Sequence, residues 1–379
     1  MQRGEANQTK LQSLRYPVAC PRISRRTQSP VMHRWTGVFV PKGSFLFAAA
    51  CCTLLACGAP KNGLVSFSGS AMGTVWTVQI TDLRRDLSHG ALERRIIATL
   101  DEVDQAMSTY KEDSEVMKFN RQISTDWFPI SPPVAAVLRE ALVISQLSNG
   151  AFDITVSPLV NLWGFGPTGA RTQRPPTAEI RSARAQTGYE NLEVRLSPPA
   201  MRKKVAKLSI DLSAIAKGYA VDRISALLDE NGSKNYLVEI GGELRAMGNN
   251  PQDEPWRIGV ERPDADSPQI EQILPLRNLG MATSGDYRNF FEEDGKRYSH
   301  TIDPNTGEPV THSLASVSVL ADSVMRADGL ATALLVLGPR AGAELAEREE
   351  IAALFIERKA DTYKLTMSST LQQYLGDAD

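Results

Sequence analysis

The sequence has few of the residues that build zinc sites and disulfides. Of its 379 residues only four are cysteines, all at or before position 57, and only four are histidines. In the C-terminal half only His300 and His312 remain as soft or borderline ligands. Structural and catalytic zinc sites need clusters of Cys and His, so the body of the chain offers poor support for one.

An excess of positive charge is also missing. The formal charge is −2, but residues 1–56 hold eight Lys or Arg and one acid, so residues 57–379 carry about −9. A net negative body repels phosphate backbones, which argues against nucleic-acid binding. An anionic ligand would then need a metal ion or a local basic site.

A long apolar run is absent as well. The apolar segment 45–56 follows Arg34 and Lys42 and is far shorter than the roughly 20 residues that a spanning helix needs. A basic flank before such a segment indicates a signal peptide. The segment ends Leu54-Leu55-Ala56-Cys57, which is typical of a bacterial lipobox with Cys57 as the lipidated residue. The alternative is a buried helix that contains cysteines by chance.

This interpretation divides the chain into three parts. Residues 1–56 are an N-terminal extension and lipoprotein signal peptide, 57–64 a tether, and 65–379 the functional domain. Met1 and Met32 both remain candidate starts. The predicted location is the periplasmic side of the bacterial cell envelope, with a lipid anchor in the inner or outer membrane. After cleavage only Cys57 would remain, so no disulfide could form within the chain.

Patterns in the domain predict an α+β fold. Apolar residues at Leu92, Ile96, Leu100, Val103 and Met107 place one stripe on a helix. Strands and helices alternate irregularly, without βαβ spacing, which favours a single domain with a mixed sheet and flanking helices.

Four predicted elements hold or adjoin several of the candidate site residues. We expect a strand over Leu208–Leu212, a helix over Ser213–Glu230, a strand over Tyr236–Ile240 that ends in Gly241-Gly242, and a helix over Ala327–Leu337.

Asp328 and Thr332 are the first candidate ligands. They lie four residues apart on a predicted helix, so their oxygens share a face. Carboxylate, hydroxyl and carbonyl oxygens are the hard ligands that Mg²⁺ prefers. The alternative is that Asp328 stabilises the start of its helix while Thr332 bonds back to the backbone.

Several segments are too specific to reflect packing alone. They are Met72-Gly-Thr74; Ser108-Thr-Tyr110 with Ser114-Glu115; Gly150-Ala-Phe-Asp153 through Leu159 with Leu162-Trp-Gly-Phe-Gly166; Asp211-Leu-Ser-Ala-Ile-Ala-Lys217 through Asp222; Thr283-Ser-Gly-Asp-Tyr287 with His300-Thr-Ile-Asp-Pro-Asn-Thr-Gly307; and Ala327-Asp-Gly-Leu-Ala-Thr332 through Leu334. Together and in this order, from about Ser68 to the C-terminus, they resemble the ApbE family of FAD:protein FMN transferases.

The resemblance implies a set of site residues. In the family a metal is held by an Asp, a Thr and backbone carbonyls. The matching positions here are Asp328, Thr332 and the carbonyls of Ala214 and Ala331. The implied FAD site comprises Met72, Tyr110, Ala151, Phe152, Asp153, Asp211, Lys217 and Ile302. The family carries a functional histidine where this chain has His300.

Each of these residues also has a plainer interpretation. Tyr110 and Phe152 could be core aromatics, Lys217 a solvated charge, and His300 a brace for the turn that follows it. The family often has Asp or Asn after the paired glycines, where this chain has Glu243, so the role of Glu243 stays open.

The implied reaction transfers FMN from FAD to a Thr or Ser hydroxyl of a partner protein and releases AMP. It uses Mg²⁺, with His300 as candidate base. The implied acceptors are flavin-bearing subunits of membrane respiratory complexes. Two alternatives stay open: a Mg²⁺-dependent FAD pyrophosphatase, and a non-catalytic flavin-binding lipoprotein.

Overall fold

The computed structural model describes residues 63–167, 169, 171–263, 269–287, 289–360 and 362–376. All of them belong to one compact unit, Gly58–Asp379. The predicted signal peptide, Cys57 and most of the tether lie outside the described residues, so the lipidation site stays a prediction. Among the described helices, none is long and apolar enough to cross a membrane.

Eight α-helices and two short 3₁₀ helices occur in the described part of the chain. The α-helices are α1 His89–Met107, α2 Glu115–Arg121, α3 Pro132–Leu147, α4 Ser157–Leu162, α5 Thr177–Arg184, α6 Ala216–Glu230, α7 Val324–Arg348 and α8 Ser369–Gly376; the 3₁₀ helices are Ile154–Val156 and Tyr189–Asn191. The stripe predicted for α1 is confirmed, since all five of its residues are buried. Pro132 and Pro133 open α3 behind the cap of Ser131.

The strands form one large sheet and four small ones. In chain order they are β1 Val65–Ala71, β2 Thr74–Ile80, β3 Phe128–Pro129, β4 Leu192–Leu196, β5 Pro199–Lys203, β6 Tyr236–Ile240, β7 Glu243–Met247, β8 Trp256–Glu261, β9 Ile270–Leu276, β10 Leu279–Gly285, β11 Phe290–Glu293, β12 Lys296–Ser299, β13 Ile302–Asp303, β14 Glu308–Pro309, β15 Leu314–Ala321, β16 Ala352–Lys359 and β17 Thr362–Met367. The large sheet has the order β1-β2-β6-β7-β10-β15-β16-β17.

The α+β class is confirmed, but the strand directions differ from the mixed sheet expected. Every neighbouring pair in the eight-stranded sheet is antiparallel. Tight turns explain part of the difference. β1 and β2 turn at Met72 and Gly73, and β6 and β7 turn at Gly241 and Gly242, all with positive φ. Short hairpins of this kind can join only antiparallel strands.

Both faces of the large sheet are covered. On one face the main hydrophobic core packs α1, α3, α6 and α7 against the strands. On the other face a second cluster packs β8, β9 and α8 against the alternate side chains. β15 is buried along nearly its whole length because it has a core on each side.

One local prediction needs correction. The segment Leu208–Leu212 forms no strand and pairs with none among the described residues. Its backbone bonds go instead to side chains and to a loop: the Asn120 side chain pairs with Ile210, and Asp211 N donates to Ile154 O. The helix end expected at Leu337 is confirmed, because α7 consists of two helical parts that meet at a kink at the non-helical Gly338 (φ 80°).

Candidate active site

A cavity of about 670 Å³ lies where α6, α7, β7, β8 and β10 meet the loops around residues 150 and 300. Eleven of the thirteen site residues predicted within the described part of the chain line it. They are Tyr110, Ala151, Phe152, Asp153, Asp211, Ala214, Lys217, His300, Ile302, Asp328 and Thr332. These residues span more than 200 positions of the sequence, so the fold brings the separate motifs to one place.

Two predicted residues do not line the cavity. Met72 lies in the β1–β2 turn with φ 51° and packs against the main core. Ala331 is fully buried on α7. The suggested role of Ala331 involves only its backbone carbonyl, so burial of its side chain does not decide it.

Three close charges line the cavity, and the two carboxylates among them are buried. Lys217 Nζ is 2.8 Å from Glu243 Oε1 and 3.9 Å from Asp328 Oδ2. The two carboxylate side chains are each only 4% exposed and Lys217 is 26% exposed. We call these three residues the charged floor. Lys217 is therefore an ion-paired side chain within the site and not a solvated surface charge.

The charged floor contains two carboxylates but only one ammonium group. Burial raises the pKa of the Asp328 carboxyl, although Lys217 and the Gly218 N–H act in the opposite direction. Burial likewise raises the pKa of Glu243 to about 7. Burial alone would lower the pKa of Lys217, but the charges of Asp328 and Glu243 outweigh it and raise the pKa. Glu243 Oε2 is buried without a hydrogen-bond partner among the described residues. A cation placed here would relieve both features.

Neutral oxygens complete a set suited to a hard cation. Thr332 Oγ1 lies 2.9 Å from Ser284 Oγ on β10. Gly218 N donates to Asp328 Oδ2 at 3.0 Å, and no described backbone N–H donates to the carbonyl of Ala214. No group of three or more His, Cys, Asp or Glu side chains in the described part could hold a metal. The available set is one carboxylate, hydroxyls and carbonyls, which fits Mg²⁺.

Two helices cap each other at this point. Asp222 on α6 accepts bonds from Val324 N, Met325 N and the Ser323 hydroxyl at the start of α7. Asp328 on α7 accepts from Gly218 N in the first turn of α6. The backbones approach so closely that a Cβ at Gly218 would lie 2.4 Å from the carbonyl oxygen of Val324. The glycine and both aspartates of these two motifs therefore set the geometry of the charged floor.

The structure disagrees with the plainer interpretations of Asp328 and Thr332. Asp328 caps a neighbouring helix and not its own, and Thr332 bonds Ser284 across to the sheet. Their roles as metal ligands remain predictions.

A second wall is formed by the loop that follows α3. Both oxygens of Asp153 hold that loop: Oδ1 accepts from Thr155 N and Oγ1, at 2.8 and 2.7 Å, and Oδ2 accepts from Tyr189 N at 2.9 Å. Phe152 is buried beside it, whereas Tyr110 is 70% exposed at the cavity edge. Tyr110 is thus available to stack on a planar ligand. Asp153 contributes chiefly by shaping this wall.

His300 lies on the rim of the cavity, between β12 and β13. Asn289 O accepts from His300 N at 2.9 Å and lies 3.2 Å from Nδ1. A carbonyl can only accept, so this contact places the proton on Nδ1 and leaves Nε2 free. Phe165 contacts the imidazole edge-on, with ring centroids 6.4 Å apart. The His300 ring, Asn289 and Phe165 are called the His300 rim below.

The rim favours a neutral imidazole. The concave surroundings of His300 lower its pKa, although the Asn289 carbonyl and Asp286 act in the opposite direction. A hairpin follows directly, in which Gly307 N donates to Asp303 O at 2.8 Å and Gly307 O accepts from Trp163 Nε1 at 2.9 Å. The tryptophan motif and the histidine motif are thereby packed together.

Some site residues were not assigned a role from the sequence. Ser284 stood in a motif that was singled out, but its contact with Thr332 depends on sheet pairing. The role of Glu243 was left open, and the structure places it against Lys217. Asn289 gave no signal, since it acts through its backbone carbonyl.

Comparison with known proteins agrees with this arrangement. A model of the ApbE family matches residues 72–355. An FAD:protein FMN transferase of Vibrio cholerae is 41% identical over 333 residues, which is 88% of this chain and 99% of the relative. One of Salmonella typhimurium is 39% identical over 336 residues, 86% of this chain and 95% of that protein.

The solved structures that resemble this chain include flavin transferases of the ApbE family. The flavin transferase ApbE from Vibrio cholerae superposes with a TM-score of 0.76 at 41% identity, covering 82% of this chain and 99% of that one. The apo form of the Pseudomonas stutzeri flavinyl transferase ApbE gives a TM-score of 0.77 at 41% identity, covering 83% and 98%.

Proposed function

The chain belongs to the ApbE family, and on that premise we propose that it transfers FMN from FAD to a hydroxyl group of a partner protein. The observation that carries the proposal is that an ion-paired lysine, a buried helix carboxylate and an accessible histidine with a free Nε2 line one cavity. Relatives that share about 40% of their residues with this chain carry the name of that activity.

FAD is the proposed occupant of the cavity. Tyr110 offers exposed aromatic surface to the isoalloxazine ring, and Phe152 supports the cavity wall as a buried side chain. Lys217 offers a compact positive charge to the pyrophosphate, and its pairing with Glu243 holds the ammonium in place. Gly241 and Gly242 lie on the cavity wall with positive φ, where a ligand can approach the backbone closely.

Asp328, Thr332 and the carbonyls of Ala214 and Ala331 are the proposed ligands of Mg²⁺. When bound, the ion would neutralise charge on the pyrophosphate and on the departing phosphate. The protein's part is to hold these oxygens on two mutually capped helices, with Ser284 fixing the hydroxyl of Thr332.

His300 is the proposed general base. Its Nε2 takes the proton of the acceptor hydroxyl as that oxygen attacks the FMN-side phosphorus. The bond from this phosphorus to the bridging oxygen breaks, and AMP leaves with the electron pair. The product is a phosphoester between FMN and the acceptor. Neutral imidazole is the form required, and the concave surroundings of His300 favour that form by lowering its pKa.

The deciding experiment is an acceptor assay. The full chain is incubated with FAD, Mg²⁺ and a purified acceptor domain, and covalent flavin is measured by in-gel fluorescence and mass spectrometry. Covalent FMN together with equimolar AMP is expected. FMN and AMP released without labelled acceptor would identify a pyrophosphatase instead, and unaltered FAD would identify a flavin-binding protein.

We further propose that the partner is a flavin-bearing subunit of a membrane respiratory complex, and that Cys57 carries lipid on the periplasmic side. The anchor is supported by the sequence Leu54-Leu-Ala-Cys57 after a basic flank, and the acceptor by the family resemblance alone. Cys57→Ser should block incorporation of labelled fatty acid and leave an uncleaved precursor. Equal labelling of the variant would contradict the anchor.

A further inference from the structure

Lys203, the last residue of β5, is a buried lysine outside the cavity. It is 1% exposed, and none of the ion pairs in the described residues includes it. Its ammonium donates to Leu208 O at 2.9 Å and Phe119 O at 3.1 Å, with Asn120 O at 3.5 Å. Burial lowers the pKa of this ammonium. Three carbonyl dipoles thus replace the carboxylate that a buried lysine usually has.

The acceptors belong to two different segments. Phe119 and Asn120 lie in the last turn of helix α2, while Leu208 begins segment 208–211. The Asn120 side chain joins the same segments a second time: its Nδ2 donates to Ile210 O and its Oδ1 accepts from Ile210 N, both at 2.8 Å. Segment 208–211 thus receives from two side chains the bonds that a neighbouring strand would otherwise supply.

These bonds connect helix α2, which follows the lining residue Tyr110, to a segment that ends at the lining residue Asp211. Segment 208–211 ends at Asp211, which lines the cavity. Ala214, another lining residue, follows it, and then α6 with Lys217. Helix α2 begins at the cap of Ser114, whose hydroxyl donates to Ser108 O beside Tyr110. A shift of α2 relative to segment 208–211 would therefore change the distance between Tyr110 and Asp211.

We propose that Lys203 and Asn120 are positioning residues, which set the affinity of the site for FAD by fixing segment 208–211 against helix α2. The inference rests on the proposed function in so far as FAD is the ligand. Packing alone does not require the ammonium, because a methionine of similar length would fill the same space. What methionine lacks is the three hydrogen bonds.

The test compares two variants with a matched control. Lys203→Met removes the donors and keeps the apolar stem. Asn120→Asp keeps the acceptor for Ile210 N and loses the donor to Ile210 O. Lys204→Met is the control, since Lys204 is a half-exposed neighbour that pairs with Glu193 and does not line the cavity. FAD affinity is measured by flavin fluorescence in the full chain with Mg²⁺, and melting temperature is measured on the same preparations.

We expect both variants to bind FAD about fivefold or more weakly than wild type at temperatures well below their melting points. The KM for FAD should rise while kcat at saturating FAD changes little, because Lys203 and Asn120 do not line the cavity where the reaction takes place. Lys204→Met should match wild type in affinity and in KM.

A lower melting temperature with wild-type FAD affinity would overturn the proposal and leave Lys203 a purely structural residue. Unchanged stability and unchanged affinity would overturn it as well. If Lys203→Met fails to fold, the affinity of Asn120→Asp decides alone. A wild-type protein that binds FAD but labels no acceptor rejects the proposed transfer without touching this inference.

Discussion

The charged floor and the His300 rim differ in how the fold holds them. Lys217, Glu243 and Asp328 lie on two mutually capped helices and a central strand, and their carboxylates are buried. His300 lies between short hairpins and is held through one backbone carbonyl. The floor suits a ligand that must be bound in one place, since sites on helices and strands are the more rigid ones. The rim is open enough for a group of another protein to reach it.

We assign ligand binding to the charged floor and proton transfer to the His300 rim. Substitutions in each region test this division. The largest expected effect is at the rim. His300→Ala should slow FMN transfer by about 10²–10⁴-fold because the acceptor hydroxyl loses its base. The rate of acceptor labelling at saturating FAD checks this. His89→Ala, at an exposed histidine of α1, is the matched control and should transfer at the wild-type rate.

On the floor, Asp328→Asn should reduce transfer by about 10²–10³-fold. The variant keeps the shape of the side chain but removes the charge that a hard cation needs. High Mg²⁺ or Mn²⁺ should restore part of the rate, which no metal should do for His300→Ala. Glu344→Gln, at an exposed acid on the same helix, serves as control. Full wild-type activity in the presence of a chelator would remove the metal from the account.

The pH dependence separates the two regions in another way. His300 acts as a base only when neutral, so the rate should rise with pH through its pKa and fall as pH drops below it. Desolvation by the concave surroundings of the accessible His300 ring lowers that pKa, so the midpoint should lie below the ordinary value of about 6.5. Across the acidic limb the change is about tenfold per pH unit.

Glu243 provides the control for assigning the acidic limb of the pH profile to His300, because burial raises the pKa of Glu243 to about 7. In Glu243→Gln the acidic limb should persist with its midpoint unchanged. A limb that disappears in this variant would assign the titration to the floor and not to the rim.

The smallest effect is expected for Thr332→Val. It removes one neutral oxygen and the contact with Ser284, so the apparent Mg²⁺ affinity should fall about tenfold. Transfer at saturating Mg²⁺ should approach the wild-type rate. Thr99→Val, at a helix threonine whose hydroxyl bonds back to Arg95 O, is the control. A loss that saturating Mg²⁺ does not restore would mean that Thr332 holds the helix and not the ion.

Much of this site follows from short segments of sequence. Asp328 and Thr332 share a face because helix periodicity places them there, and Phe152 and Asp153 are adjacent in the chain. Long-range pairing could not be predicted in the same way. The contacts Thr332–Ser284 and Lys217–Glu243 depend on which strands lie beside α6 and α7.

Strand prediction failed where side chains took over a backbone role. Leu208–Leu212 has the apolar alternation of a strand, but Asn120 and Lys203 occupy its hydrogen-bonding groups. The mixed sheet was expected because irregular alternation of elements does not reveal strand direction. That direction was decided by tight turns such as Met72-Gly73, where the backbone takes positive φ.

The central claim is that the floor binds FAD and the rim transfers FMN. The most direct test is the FAD affinity of His300→Ala, measured on a preparation whose transfer rate and melting temperature are also known. The account predicts a dissociation constant within a few-fold of wild type while transfer is nearly abolished. Loss of FAD binding together with thermal stability would contradict it and would make His300 a brace for the turn at Asp303.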